Sequence, residues 1–450
     1  MLFSSLEFLF LFLPISVGVY FLLPQRFKNL WLLVSGLCFY AFGEPSFLPV
    51  MLAAIVLNFS FGRLIVRYRS RSRLCKVLLW SAVIYNILIL VYFKFFAPEL
   101  PIGISFYTFQ ALSYVIDVYR YNAEACADPI SFGAYVSLYP QLIAGPIVRY
   151  SNIDEALKKR GHSLGDVSSG IRTFCAGLSK KVLLANSAGQ MWEYFSTQSG
   201  FADAYVGIFF FSMQIYFDFS GYSDMAVGLG RIFGFSFPQN FNYPYISKSA
   251  TDFWRRWHIT LSSFFREYVY IPLGGNRGGR RRTYRNLFIT WALTGIWHGA
   301  TVNFLIWGLY FALILSIEKA FLKDVLLRLP ILLQRAYALS CIAIGWIIFV
   351  CDGESLSVFD GILYILRLVG IGCSEFCSAE SAYQIMRNIV FIAILSLGST
   401  RIPRRVYQKA VERGGATSIL ALLMLPIAAF VLSIAYIVNS GYNPFLYFRF

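Results

Sequence analysis

LFITWALTGIWHGATVNFLIWGLYFALILS, residues 287–316, contains no Asp, Glu, Lys or Arg, yet it holds His298, one of three histidines in the 450-residue chain. A helix crosses the hydrocarbon core in about 20 mostly apolar residues, so this run is membrane-embedded but long for one passage. Its flanks decide how it lies. Upstream, 244–286 holds Arg255, Arg256, Arg266, Arg277, Arg280, Arg281, Arg282 and Arg285, and downstream come Lys319, Lys323, Arg328 and Arg335. Basic loops gather on the cytoplasmic side, which places both ends of the run there. The run is therefore expected to enter the membrane and turn back, or to break around Gly299. Broken backbone at membrane depth is tolerated where protein or a water-filled cavity satisfies it, so the topology points to a site.

Working outward, further spans are expected at roughly 2–23, 30–43, 46–62, 77–96, 205–232, 336–350, 386–400 and 416–438. The stretches 102–119, 131–148 and 170–190 are shorter or interrupted and are expected to be tilted, broken or re-entrant. The basic loops 63–76 and 401–413 belong inside, with Arg26 and Lys28. The chain termini and the acidic loop 370–383 then fall outside. Phe8 to Leu23 lacks a positive leader and a small-residue cleavage site, and is expected to be a retained span rather than a signal peptide.

Hydrophobic residues make up 58% of the chain and charged residues 14%, against the roughly 25% that a soluble surface uses. The net charge of +16 sits in short loops between apolar runs, which marks sidedness rather than a nucleic-acid footprint. No repeat or disordered linker divides the chain, so one all-α polytopic domain, 1–450, is expected. The eight cysteines show no Cys-x-x-Cys spacing and no metal site. Cys373 and Cys377 either pair in an oxidising compartment or remain two small unpaired residues.

Ionisable groups at membrane depth are rare and usually functional, which makes His298 the leading candidate for catalysis. Trp291, Gly295 and His298 share a helix face; Gly295 and Gly299 leave room beside the imidazole, and Trp297 supports it. Desolvation there disfavours the cation, and a neutral imidazole can take a proton from a hydroxyl or thiol and return it to a leaving group. A structural His bonded across helices is the competing reading. His162, in a Lys-Lys-Arg-Gly-His loop, is expected to be solvated and inert.

His258 ends Asp252-Phe-Trp-Arg-Arg-Trp-His258. On one helix Phe253, Trp257, Leu261, Phe264 and Tyr268 would form an apolar stripe, the pattern of a helix lying in the membrane interface. Asp252 and Arg256 can pair at i, i+4. Arg255 and Arg256, with Trp254, could meet the phosphates of a nucleotide-bearing donor, or lipid headgroups. Tyr270-Ile-Pro-Leu-Gly-Gly-Asn-Arg277 is expected to be a tight turn. Asp218 and Asp224 lie in an apolar run where each uncompensated carboxylate costs about 2.5–3.5 kcal/mol; Arg231 and Arg255–Arg256 are the available partners, and a structural ion pair is favoured over catalysis for both.

Taken together these strings resemble the membrane-bound O-acyltransferase superfamily, in its bacterial branch of alginate O-acetyltransferase membrane subunits. The resemblance runs from Phe3-Ser-Ser-Leu-Glu-Phe through Phe39-Tyr-Ala-Phe-Gly-Glu-Pro45, Leu100-Pro-Ile-Gly-Ile-Ser-Phe-Tyr-Thr-Phe-Gln110 and Pro140-Gln-Leu-Ile-Ala-Gly-Pro-Ile-Val-Arg149. It continues through Asn240-Phe-Asn-Tyr-Pro-Tyr245, Asp252 to Arg277, Leu293 to Ala300 and Phe445-Leu-Tyr-Phe-Arg-Phe450. It implies a bundle of about 11 tilted or broken transmembrane helices, with re-entrant and interfacial helices and a funnel on each side that narrows at His298.

It implies His298 and His258 as the catalytic pair and acetyl-CoA as a cytoplasmic donor, with no permanently bound cofactor. The acceptor is then an exported polysaccharide, alginate-like first, with cellulose or peptidoglycan as others. A periplasmic serine-esterase-like partner and the bacterial inner membrane complete the picture. Two departures are the Phe311 that stands where the family often has His, and Arg449 where a Gln is common. D-alanyl, lipid or protein acyl transfer are alternatives within the superfamily; an ion-coupled transporter or a non-catalytic membrane platform are alternatives outside it.

Overall fold

The computed structural model describes residues 2–143, 145–351 and 356–442. Among them the regular elements are all helices, joined by turns and short extended links, and none is a strand. Pro45–Arg67, Ser72–Phe95, Val302–Arg328, Ile331–Val350 and Gly415–Asn439 are each long and apolar enough to cross a bilayer. Ala379–Arg387 and Ile389–Gly398, bent by 56° at their junction, make a sixth passage if taken together. Leucine, isoleucine and valine side chains such as Leu88, Leu332 and Val431 are more than half exposed on these helices. Water would not tolerate so much apolar surface and lipid does. The chain is an all-α membrane protein.

It divides into two compact units. The first comprises Met1–Leu178, Tyr222–Gln239 and Ile437–Asn439. Ile104–Tyr119 sits in its interior: nearly every side chain of this helix is buried, including Ser105, Thr108, Gln110, Ser113 and Asp117. Those polar residues blunt its hydropathy, which is why the sequence marks it as an interrupted segment although it is continuous. Small residues let the neighbouring helices close up; a Cβ on Gly36 would lie 2.2 Å from the Ser137 carbonyl oxygen. The expected break at 131–148 is present, since Pro129–Ser137 stops at Leu138 before a short turn at Tyr139–Leu142.

The second unit comprises Ser179–Gly221, Asn240–Tyr436 and Ser440–Phe450. Its defining feature is a helical hairpin. Arg280–His298 runs as one helix and Val302–Ile317 as the next. A Cβ on Gly295 would meet the Phe304 carbonyl oxygen at 2.2 Å, and one on Gly308 the Trp291 carbonyl oxygen at 2.3 Å. As the position rises on one helix it falls on the other, so the two are antiparallel and packed backbone to backbone. The run 287–316 therefore turns back at Gly299, as its basic flanks require. The hairpin brings Arg280 and Ile317 to the same end of the helix pair, the arrangement that the expected sidedness of the basic and acidic loops calls for.

Candidate active site

Residues from the hairpin, from 250–270, and from Ile215, Asp218 and Phe219 enclose a cavity of about 260 Å³. Leu287, Thr290, Trp291, Thr294 and His298 all line it. Their spacing is that of one helix face, and at 1.5 Å per residue the lined stretch is about 16 Å long. Arg255 and Arg266, both exposed, stand in the same wall as His298, which is 7% exposed. The cavity thus grades from solvated arginines to a buried imidazole.

Aromatic rings hold that imidazole. Trp297, Trp307 and Phe349 approach it edge-on with centroids at 4.8, 5.0 and 5.2 Å. Trp254 and Trp307 also line the cavity, and the indole N–H of each is buried without an acceptor among the described residues. An unmet buried donor costs about 1–3 kcal/mol, which a bound carbonyl could offset. Phe311, fully buried, packs 4.8 Å from Trp254 and 5.3 Å from Trp307. It belongs to the scaffold behind this wall.

His258 lines the same cavity, and the local backbone differs from the single amphipathic helix expected there. Ala250–Trp254 ends, a turn follows, and Ile259–Phe265 begins after His258, whose φ of 41° is left-handed. Phe253, Trp257, Leu261 and Phe264 are 1–4% exposed, so the stripe packs inside the protein instead of facing lipid. Asn240 organises the break. Its side-chain oxygen accepts from Thr260 N at 3.3 Å and Thr260 Oγ1 at 2.9 Å, and lies 3.1 Å from His258 Nδ1. A backbone N–H can only donate, so the amide oxygen must face this cluster. Nδ1 therefore carries the ring hydrogen, and Nε2 is left as the basic nitrogen. Burial pushes the His258 pKa down to about 3, so the ring is neutral at ordinary pH.

Glu318, which the sequence reading passed over, anchors the preceding helix. Its buried carboxylate accepts from Ala250 N at 2.7 Å and Thr251 N at 2.9 Å, satisfying two of the first-turn donors that a helix leaves open. This ties the segment bearing Trp254 and His258 to the Val302–Arg328 span.

The structure separates the other candidates. Arg255 and Trp254 line the cavity; Arg256 does not, because Asp252 takes its Nε at 2.8 Å and the Asn242 carbonyl its Nη1 at 3.3 Å. The i, i+4 pairing is as expected, and it removes Arg256 and Asp252 from the donor surface. Asp218 lines the cavity, but its ion-pair partner is Lys181 at 3.0 Å, on a helix the sequence gave no reason to connect, and not an arginine. Lys181 Nζ also donates to Asn186 Oδ1 at 2.8 Å. Asp224 lies half-buried in the first unit and is not in the cavity wall; Arg231 bonds Ser169 Oγ there at 3.1 Å. Trp297 stands against both imidazoles, its centroid 6.4 Å from that of His258. Tyr270–Arg277 is a turn, fastened by Asn286 Nδ2 to the Leu273 and Gly275 carbonyls. Cys373 and Cys377 are free thiols. Arg449 lies outside the described residues.

Comparison with known proteins agrees with this architecture. The model of the membrane-bound O-acyltransferase family matches residues 36–357. "Probable alginate O-acetylase AlgI" of Pseudomonas putida is 38% identical, with the whole of both chains aligned. The protein of the same name in Pseudomonas syringae is 42% identical over 78% of this chain and 72% of the relative. The peptidoglycan O-acetyltransferase of Helicobacter pylori is 32% identical over 87% and 86%. With a family match across most of its length and one relative aligned end to end, this chain belongs to the membrane-bound O-acyltransferase family.

Proposed function

We propose that the chain is a membrane O-acetyltransferase of the bacterial inner membrane. It takes an acetyl group from a cytoplasmic thioester donor, acetyl-CoA, and passes it across for O-acetylation of an exported surface polysaccharide, alginate-like first. The observation that carries this reading is the cavity wall that runs from exposed Arg255 and Arg266 to buried His298. Guanidinium groups at the open end suit the phosphates of a nucleotide-bearing donor. The apolar interior suits an extended thioester arm, and relatives named for alginate and peptidoglycan O-acetylation support a glycan acceptor.

In this mechanism the acceptor hydroxyl attacks the thioester carbonyl beside His298. Its oxygen forms the new C–O bond, His298 takes the hydroxyl proton, the C–S bond breaks, and the proton passes to the departing thiolate. An ester and a free thiol result. His258, with its hydrogen held on Nδ1 by Asn240, offers Nε2 as a second proton acceptor in the same cavity. The N–H groups of Trp254 and Trp307 meet the oxygen on which negative charge develops. The hydroxyl belongs either to the glycan or to the serine of a periplasmic esterase-like partner that completes the transfer. About 11 membrane helices in one domain belong to the same reading.

The test is His298→Ala in membranes that assemble the surface glycan. General acid–base catalysis contributes about 10²–10⁴-fold, so glycan acetyl esters should fall by at least about 100-fold while the protein is still inserted and folded. Unchanged acetylation with the partner still recruited would instead identify a non-catalytic platform. Gradient-driven uptake in proteoliposomes without an acyl product would identify a transporter.

A further inference from the structure

Among the described residues, the first unit buries two cations that no carboxylate pairs with. Lys28 is 8% exposed and Arg160 7%, and among the described residues neither is in an ion pair. Lys28 Nζ rests 4.6 Å from the centre of the Tyr20 ring, and the Arg160 guanidinium 4.7 Å from that of Phe235. Arg160 Nε donates to Tyr20 Oη at 3.0 Å and Nη1 to the Ala156 carbonyl at 3.0 Å, while Nη2 is buried without a partner. His162 joins them, its Nε2 3.2 Å from Tyr20 Oη. The Tyr20 hydroxyl already donates to the Phe233 carbonyl at 2.8 Å, so Nε2–H must donate to Tyr20. Nδ1 of His162 is left buried and unpartnered. The loop expected to be solvated is docked.

Ring faces compensate a buried cation only in part, because the attraction of a ring quadrupole returns less than removing an ion from water costs. Two such cations side by side call for an anion. We propose that Lys28, Arg160 and His162 form a binding site for a phosphate group, occupied in the membrane by the headgroup of an anionic phospholipid. Three observations favour a lipid. Basic loops put this turn at the cytoplasmic boundary, where anionic headgroups accumulate. Leu22 is 86% exposed and Phe21 and Phe27 about two-fifths, which lays an apolar surface for acyl chains beside the cations. The helix that carries Lys28 in its first turn also has no side-chain cap, so its N-terminal dipole favours the same charge. The His162 pKa is lowered, first by burial and then by Lys28 and Arg160, against a smaller opposite pull from Asp166. A bound phosphate offsets the influence of the two cations and lets Nδ1 take a proton and donate.

The experiment follows thermal unfolding of the full chain in a neutral detergent, for the wild type, Lys28→Met and Lys28→Arg. Phosphatidylglycerol, phosphatidylcholine and inorganic phosphate are added separately. An upward shift with phosphatidylglycerol, absent with phosphatidylcholine, kept in Lys28→Arg and lost in Lys28→Met, supports the site with lipid as its source. The same pattern with inorganic phosphate supports the site with a free anion as its source. No shift in the wild type, or equal shifts in Lys28→Met, overturns the proposal. Before any anion is added, Lys28→Met should unfold no lower than the wild type, since it removes uncompensated charge. A clearly lower midpoint would mean that the Tyr20 ring alone holds Lys28, and would also overturn it. Transfer activity enters none of these readings, so the proposal stands or falls apart from the acetyltransferase assignment.

Discussion

At His258 the ring has two nitrogens and one way to carry its hydrogen, and that choice belongs to Asn240. The residue scale is where this can be tested. Asn240→Asp puts a carboxylate beside Nδ1 and should raise the depressed His258 pKa, so the acid limb of the pH–activity profile moves to higher pH. Asn240→Ala removes the acceptor shared by Thr260 and His258 and should cost about 1–3 kcal/mol for the donors left unmet. An unmoved pH profile in Asn240→Asp would reduce Asn240 to a purely structural role. For stability the sign is also fixed. The folded pKa, about 3, lies below the ordinary value of 6.5, so the unfolded chain binds the proton first. The contribution is complete above about pH 6.5 and lost progressively as pH falls toward 3. Sequence reading singled out His298 because it stands alone in an apolar run and His258 through the resemblance of its string, and the structure brings both to one cavity. The same reading could not find Asn240, Lys181 or Glu318 as partners, because nothing in the chain order links them to the groups they hold.

At the scale of elements, the hairpin rests on two glycines that bring the backbones of Arg280–His298 and Val302–Ile317 together. A methyl group at either position would lie about 2.2–2.3 Å from a carbonyl oxygen, well inside contact distance. Gly308→Ala and Gly295→Ala should each destabilise the fold by roughly 1–3 kcal/mol, seen as a lower unfolding midpoint and a reduced yield of folded protein. Wild-type stability in both would mean that the helices separate easily. The reversal at Gly299 was legible from charge alone, because basic residues at both ends of one apolar run permit only an even number of crossings. The segment 250–270 was not. Its apolar stripe has helical spacing, yet the chain breaks at His258, where hydrogen bonds to Asn240 support a left-handed residue that no pattern of hydrophobicity records.

For the molecule as a whole, the arrangement of charge makes a prediction about sidedness. With the native cysteines replaced, single cysteines at Gly279 and Arg328 should both react with a membrane-impermeant thiol reagent added from the cytoplasmic side. Labelling of the two from opposite sides would exclude the hairpin topology. The membrane class was readable from composition, since 14% charged residues cannot cover a chain of this length in water. Helix count was harder to read. Ile104–Tyr119 is buried all round, and burial lets polar side chains into a helix that hydropathy alone discounts.

Hanging the His298 imidazole at the tip of a helix turns that helix into a ruler. Each residue between Arg285 and His298 sets depth by 1.5 Å and bearing by 100°. One alanine inserted after Phe288 would swing the ring off the cavity face, whereas four would nearly restore its bearing and displace it about 6 Å along the axis. If His298 acts as proposed, acetyl transfer should fail in the first case for want of aim and in the second for want of reach, which would make even the length of this helix a catalytic parameter.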